Sequence, residues 1–163
     1  MPGEKAAGKA AKAPKDPDAP RALYAVVRVR GGASAIRETE DTAAKLRLCS
    51  VNSCTVMPAD GTHTGMLHMA ADYLTWGEVS EDALSMLIGK RGKMYDGSRP
   101  DGKQAKSLAA KVLKAGTLKG SGLRPVFRLS PPAGGLRSIR MHFPRGDLGY
   151  RGAEINKLLV RMI

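Results

Sequence analysis

The sequence predicts a mixed domain of strands and helices, because two hydrophobic periods alternate along it. Period two runs through Leu23–Arg30, where Leu23, Ala25, Val27 and Val29 share one face and Tyr24, Val26, Arg28 and Arg30 the other. Helical spacing follows at Ile36, Ala43 and Leu46, again at Met66, Met69, Ala70, Tyr73 and Leu74, and in three later stripes. The 163 residues are 42% hydrophobic, enough for a core in one domain with attachments.

The elements follow in order. Gly31-Gly32 ends the first strand, and Glu38, Glu40 and Asp41 stand near the N-terminus of the helix that follows, where its dipole favours them. Cys54–Met57 reads as a short strand stopped by Pro58, and Leu74–Trp76 as another leaving the methionine-rich helix. Ser80 is a good N-cap before Glu81 and Asp82, with Leu84, Leu87 and Ile88 as the stripe and Gly92 as a left-handed C-cap. Asp101 caps a helix carrying Ala105, Leu108, Ala109, Val112 and Leu113, which Gly116 ends. Pro125–Ser130 alternates again, Pro131–Gly149 is a long loop, and Ile155, Leu158, Leu159 and Met162 form a last helical stripe. Met69 and Leu87 are expected in the core.

Charge divides the chain unevenly. Residues 1–20 carry four lysines and three acids with no periodicity, and are expected to be a disordered tail. Residues 21–80 balance six basic against six acidic residues, whereas residues 81–163 hold seventeen basic and six acidic. Most of the net +12 therefore sits in the second half, where self-repulsion opposes folding unless a polyanion neutralises it. The longest apolar run, Ala22–Val27, is far too short for a membrane span, so no membrane partner is expected. Two cysteines, Cys49 and Cys54, make no disulfide framework and suit a reducing cytoplasm.

Catalytic and ligand motifs are sparse. Gly97 to Gly102-Lys103 has the spacing of a phosphate-binding loop, but Gln104 stands where a magnesium-binding hydroxyl belongs. Cys49, Cys54, His63, His68 and His142 lack zinc-ligand spacing, so no metal or other cofactor is expected, nor a small-molecule substrate. Gly89-Lys90-Arg91-Gly92 matches the Gly-x-x-Gly clamp of KH domains, but a helix should follow at once and Lys93–Pro100 is full of helix breakers. Aromatics are only 4%, which favours binding to phosphates and folded RNA shape over base-stacking readout of single strands.

Several stretches taken together resemble a known family. Leu46-Arg47-Leu48, Thr64-Gly65-Met66-Leu67, Tyr73–Val79 and Leu87–Gly92 resemble large-subunit ribosomal protein thirty. Phe127–Gly135, His142-Phe143 and Glu154–Met162 resemble the end of its long archaeal and eukaryotic form, known in eukaryotes as large-subunit protein seven. The likeness covers residues 22–163, with one departure at Ala133, where the pattern often has arginine. It implies an α+β fold: a ferredoxin-like β-α-β-α-β core with an antiparallel sheet over residues 21–92, and a basic helical and extended C-terminal extension over 93–163. It further implies a non-enzymatic structural constituent of the large ribosomal subunit, partnered by large-subunit rRNA and neighbouring ribosomal proteins, in cytoplasmic ribosomes.

On that reading the expected RNA contacts are Arg28 and Arg30 at a strand end, Lys90, Arg91 and Lys93 at a helix end, and Arg128, Arg137, Arg140, His142, Arg145 and Arg151 beyond. Arginine suits the role because its planar fork meets two phosphate oxygens at once. The loop Pro131–Gly149 is expected to be an RNA-binding arm, poorly ordered in isolation and fixed by rRNA. The alternatives are an RNA-processing or RNA-modifying enzyme with a basic face, which needs convergent titratable groups, and a KH-type regulator.

Overall fold

The first strand is apolar on both sides, and the structure puts it in the middle of a sheet covered on both faces. A computed structural model describes residues 22–163 apart from Ser34 and Lys119, so the expectation for residues 1–20 lies outside the described residues. Five strands, β1 (Leu23–Arg28), β2 (Ser53–Pro58), β3 (Leu74–Glu78), β4 (Val126–Arg128) and β5 (Gly149–Tyr150), lie in the order β4-β2-β1-β3-β5. β1 pairs antiparallel with β2 through Leu23↔Pro58 to Val27↔Cys54, and with β3 through Tyr24↔Glu78 to Arg28↔Leu74. β4 adds an antiparallel edge through Ser53↔Arg128, and β5 a parallel one through Thr75↔Gly149.

Helices α1 (Arg37–Lys45) and α2 (Gly61–Met69) connect the first three strands and give the β-α-β-α-β core. They cover the face on which Val26, Met57, Leu74 and Trp76 pack with Leu46, Leu48, Leu67 and Ala70. The opposite face, Leu23, Ala25, Val27, Cys54, Val56 and Phe127, is covered by α3 (Glu81–Arg91), α4 (Gly102–Ala115) and α5 (Ile155–Met162). Residues on either side of position 92 thus share one apolar cluster, in which Leu84, Leu87 and Ile88 meet Ala105, Ala109, Leu158 and Leu159. The fold is the α+β, ferredoxin-like arrangement that the resemblance implies, with one parallel pair at the β5 edge.

Local signals explain most boundaries. Ser80 accepts a hydrogen bond from the Ala83 N–H at 3.3 Å, the cap its position predicts. The Asp101 N–H donates to Gln104 Oε1 at 3.4 Å, and Gly116 ends α4 with φ 68°. Gly77 permits a close approach, because a Cβ there would overlap the carbonyl oxygen of Gly152.

Two expectations are corrected. Met69 is 60% exposed, because α2 ends there and only Leu67 is buried within it; the chain then turns, and Ala70 and Leu74 are buried from the turn and from β3. Gly92 is extended (φ −62°, ψ 139°) rather than left-handed, because the chain runs straight on from α3 instead of closing a left-handed cap.

Candidate nucleic-acid interface

Three segments from distant parts of the chain meet at the β4 edge of the sheet. One is the turn after α1, where Arg47 takes a left-handed φ of 62°. The second is the last turn of α3 with the stretch that leaves it. The third is the lead into β4. Backbone bonds lock them together: Arg124 N–H to Lys93 O at 2.8 Å, Tyr95 N–H to Gly122 O at 3.1 Å, and Leu129 N–H to Asn52 O at 2.9 Å. The Thr55 hydroxyl adds a bond to Pro125 O at 3.0 Å.

Between them lies a concave surface of about 710 Å³ bearing seven cations: Arg47, Lys90, Arg91, Lys93, Arg99, Arg124 and Arg128. Cys49, Ser50, Ser53, Tyr95, Pro125 and Val126 complete the lining, which contains no carboxylate. Asp96 and Asp101, the acids of the adjoining stretch, do not line it. The ion pairs among the described residues all lie elsewhere, on Glu40, Asp60, Asp72, Asp147 and Glu154. Arg91 is tied down by bonds from its Nε and Nη2 to the main-chain oxygen of Ile163, at 3.2 and 2.9 Å, and by one to Ser130 Oγ. Such a surface is shaped for a polyanion, since phosphates supply the charge that the protein withholds.

The expected contact residues therefore separate. Lys90, Arg91, Lys93 and Arg128 converge on the cleft. Arg47, Arg99 and Arg124 belong with them and were missed, because each is solitary in the sequence and only the fold brings them together.

Arg28 is corrected from an RNA contact to a buried structural residue, 2% exposed. It shares the strand face that α1 covers, so its guanidinium donates to Glu40 Oε1 and Oε2 at 3.1 and 2.8 Å instead of to a phosphate. It also donates to Leu48 O at 2.7 Å, Cys49 O at 3.2 Å and Arg30 O at 3.0 Å. These bonds fix the turn that carries Arg47 and Cys49 into the cleft. Arg30 lies beside this site, half-buried, with its guanidinium 5.2 Å from the Tyr73 ring centroid.

The remaining expected contacts lie toward the β5 edge. Arg137, Arg140 and Arg145 are exposed on the long loop. His142 places Nε2 3.2 Å from Asp72 Oδ1. Arg151 has little exposed side chain: it bonds the Asp147 carboxylate, donates to Thr75 Oγ1 at 3.0 Å and sits over the Phe143 ring. Asp147 also accepts from the N–H groups of Arg137 and Ser138. Beside it, the Tyr150 hydroxyl donates to Glu78 Oε1 at 2.6 Å, and that bond pushes it up to about 12.

Other chemistries find little footing. Gly89-Lys90-Arg91-Gly92 is the end of α3, and the next helix begins only at Gly102, so it is not a loop clamped between abutting helices. Among the described residues no three His, Cys, Asp or Glu side chains gather as a metal site. Cys54 is buried, and burial pushes its thiol up to about 12; Cys49 is exposed on the cleft. No helix of the described residues is long and apolar enough to cross a membrane.

Comparison with known proteins agrees with the fold. Residues 24–74 match the model of the family described as ribosomal protein L30p/L7e. The chain is 38% identical over 152 residues to large ribosomal subunit protein uL30 of Methanosphaera stadtmanae, covering 86% of this chain and all of that one. The protein of the same name from Archaeoglobus fulgidus is 36% identical over 151 residues, covering 86% of this chain and 99% of its own. That from Nanoarchaeum equitans is 40% identical over 154 residues, covering 87% and 99%. With relatives of this similarity matched over essentially their whole length, the chain belongs to the ribosomal protein L30p/L7e family.

Proposed function

We propose that the cleft at the β4 edge is where this chain holds the phosphates of large-subunit rRNA. The chain is a structural constituent of the large ribosomal subunit and not an enzyme, as its family membership carries. One observation supports the cleft as the contact: seven cations line a single concave surface with no acid among them. Neutralised phosphates release counterions, which offsets the repulsion stored in such a cluster. The exposed arginines of the long loop form a second contact region on the same reading, and neighbouring ribosomal proteins take other parts of the surface.

The test is a salt series. Lys93, Arg99, Arg124 and Arg128 are exposed, so replacing all four with Ala leaves the melting temperature nearly unchanged. Each lost phosphate contact removes about 0.7–0.9 from the slope of log affinity against log salt, so the slope for large-subunit rRNA flattens by about 3. An unchanged slope overturns the assignment. Sedimentation of cell lysates adds a second readout: the wild-type chain travels with large subunits, and the variant shifts toward the free fractions.

A further inference from the structure

We infer that the basic cleft holds an unpaired, unstacked nucleotide, with its base laid on the ring of Tyr95 and its flanking phosphates on Lys93, Arg99 and Arg124. This deepens the proposed function and rests on the cleft being the rRNA contact. Tyr95 lines the cleft yet is 66% exposed, the most exposed aromatic residue among the large apolar side chains that reach solvent. A ring wetted to that degree gives up burial it would gain in a core, and here it stands among cations rather than beside the apolar clusters.

Its backbone is held firmly. The Tyr95 N–H donates to Gly122 O at 3.1 Å, Met94 N–H donates to Ser98 O at 2.9 Å, and Met94 bridges to Leu123. The ring is therefore presented from a fixed turn, which is what a stacking platform needs, since little order remains to be gained on binding. The size agrees. About 710 Å³ lies within the range of clefts that enclose a small ligand, whereas a paired helix keeps its bases stacked inside and meets only the rim. A base turned out of its helix has a free face to lay on the exposed ring. Stacking is sequence-tolerant, so the platform selects an unpaired nucleotide without selecting which base. The scarcity of aromatics along the chain does not oppose this, because one platform at the right place serves one base.

The experiment compares two short synthetic RNA hairpins, one fully paired and one with a single unpaired 2-aminopurine in its stem. Both are titrated with the full chain, with Tyr95→Ala and with Tyr95→Phe. The bulged hairpin binds the wild-type chain about tenfold tighter than the paired one, and its 2-aminopurine fluorescence is quenched. Tyr95→Phe keeps both effects. Tyr95→Ala loses both, while its melting curve and the salt slope for the paired hairpin stay as in the wild type. Equal affinity of the wild-type chain for the two hairpins, or a preference that survives Tyr95→Ala, overturns the inference and leaves the phosphate cleft standing. A cleft variant with all four cations replaced that keeps its salt slope overturns the underlying reading instead.

Discussion

The two edges of the sheet carry the same kind of side chain in opposite settings. At the β5 edge Arg151 is closed in by the Asp147 carboxylate, the Thr75 hydroxyl and the Phe143 ring. At the β4 edge seven cations face a cleft without one carboxylate in its lining. The first arrangement is forced by burial, because a guanidinium out of water must be paired or the fold bears its desolvation. The second holds because all of these side chains but the half-buried Arg91 are exposed to water, and it leaves their charge for an outside partner. The number of arginines therefore does not separate the two edges; whether each has an acid beside it does.

The sharpest way to break the closed edge is Asp147→Ala. Asp147 and Arg151 are both nearly sealed from solvent, with side chains 8% and 9% exposed. Removing one member of such a pair strands the other, which costs about 3–5 kcal/mol. The Arg137 and Ser138 N–H groups lose their acceptor as well. Chemical denaturation should show the loss as a lower midpoint. A stability within experimental error of the wild type would show that Arg151 swings out to water and that this edge is as open as the other.

The same contrast explains what the sequence could disclose. Helix ends are decided locally, so Ser80, Asp101 and Gly116 announce themselves within a few residues. Burial of a strand face is decided by what later covers it. Alternation put Arg28 on the face of Tyr24 and Val26 correctly, but whether that face met water depended on α1 and on Glu40, twelve residues away. Cleft residues are least legible, since Arg47, Arg99 and Arg124 meet only after the chain has crossed the sheet. The methionine stripe failed for another reason: five apolar residues fit helical spacing, but the helix stops at Met69, and the two that are buried, Ala70 and Leu74, are buried from a turn and a strand. Leu87→Ala should therefore cost about 2–5 kcal/mol and Met69→Ala less than about 0.5 kcal/mol. Thermal unfolding of both variants checks this, and comparable losses would put α2 in the wrong register.

The open edge can be broken by giving it the acid it lacks. Ser50 is exposed and lines the cleft, so Ser50→Glu places a carboxylate among the cations. Pairing in water is worth only about 0–1 kcal/mol, so the free protein keeps or slightly gains stability. RNA affinity at low salt should fall by roughly tenfold, because the new charge both occupies a cation and repels phosphate. Filter binding against a large-subunit rRNA fragment measures it. Unaltered affinity would mean that the cations of this edge are not where RNA lies.

The smallest expected effect belongs to the loop 131–149, which joins the two edges. Arg137, Arg140 and Arg145 are exposed there, and their guanidinium groups make no ion pair among the described residues. In that respect they resemble the cleft, yet they are spread along the chain and outside the concave surface. The loop's own order comes from other groups. Asp147 takes the main-chain N–H of Arg137, Gly146 N–H donates to His142 O at 2.9 Å, and Arg161 from α5 reaches back to Ala133 O and Gly135 O at 2.8 and 2.7 Å. Replacing the three loop arginines with Ala keeps all of these, so melting should change by less than about 0.5 kcal/mol. Each side chain that meets a phosphate still contributes about 0.7–0.9 to the salt slope. The triple variant should thus weaken rRNA binding by a few-fold and flatten the slope by less than the four-residue cleft variant does. A larger flattening from the loop than from the cleft would move the principal contact to the loop, and a large fall in melting temperature would show that these side chains hold the loop in place.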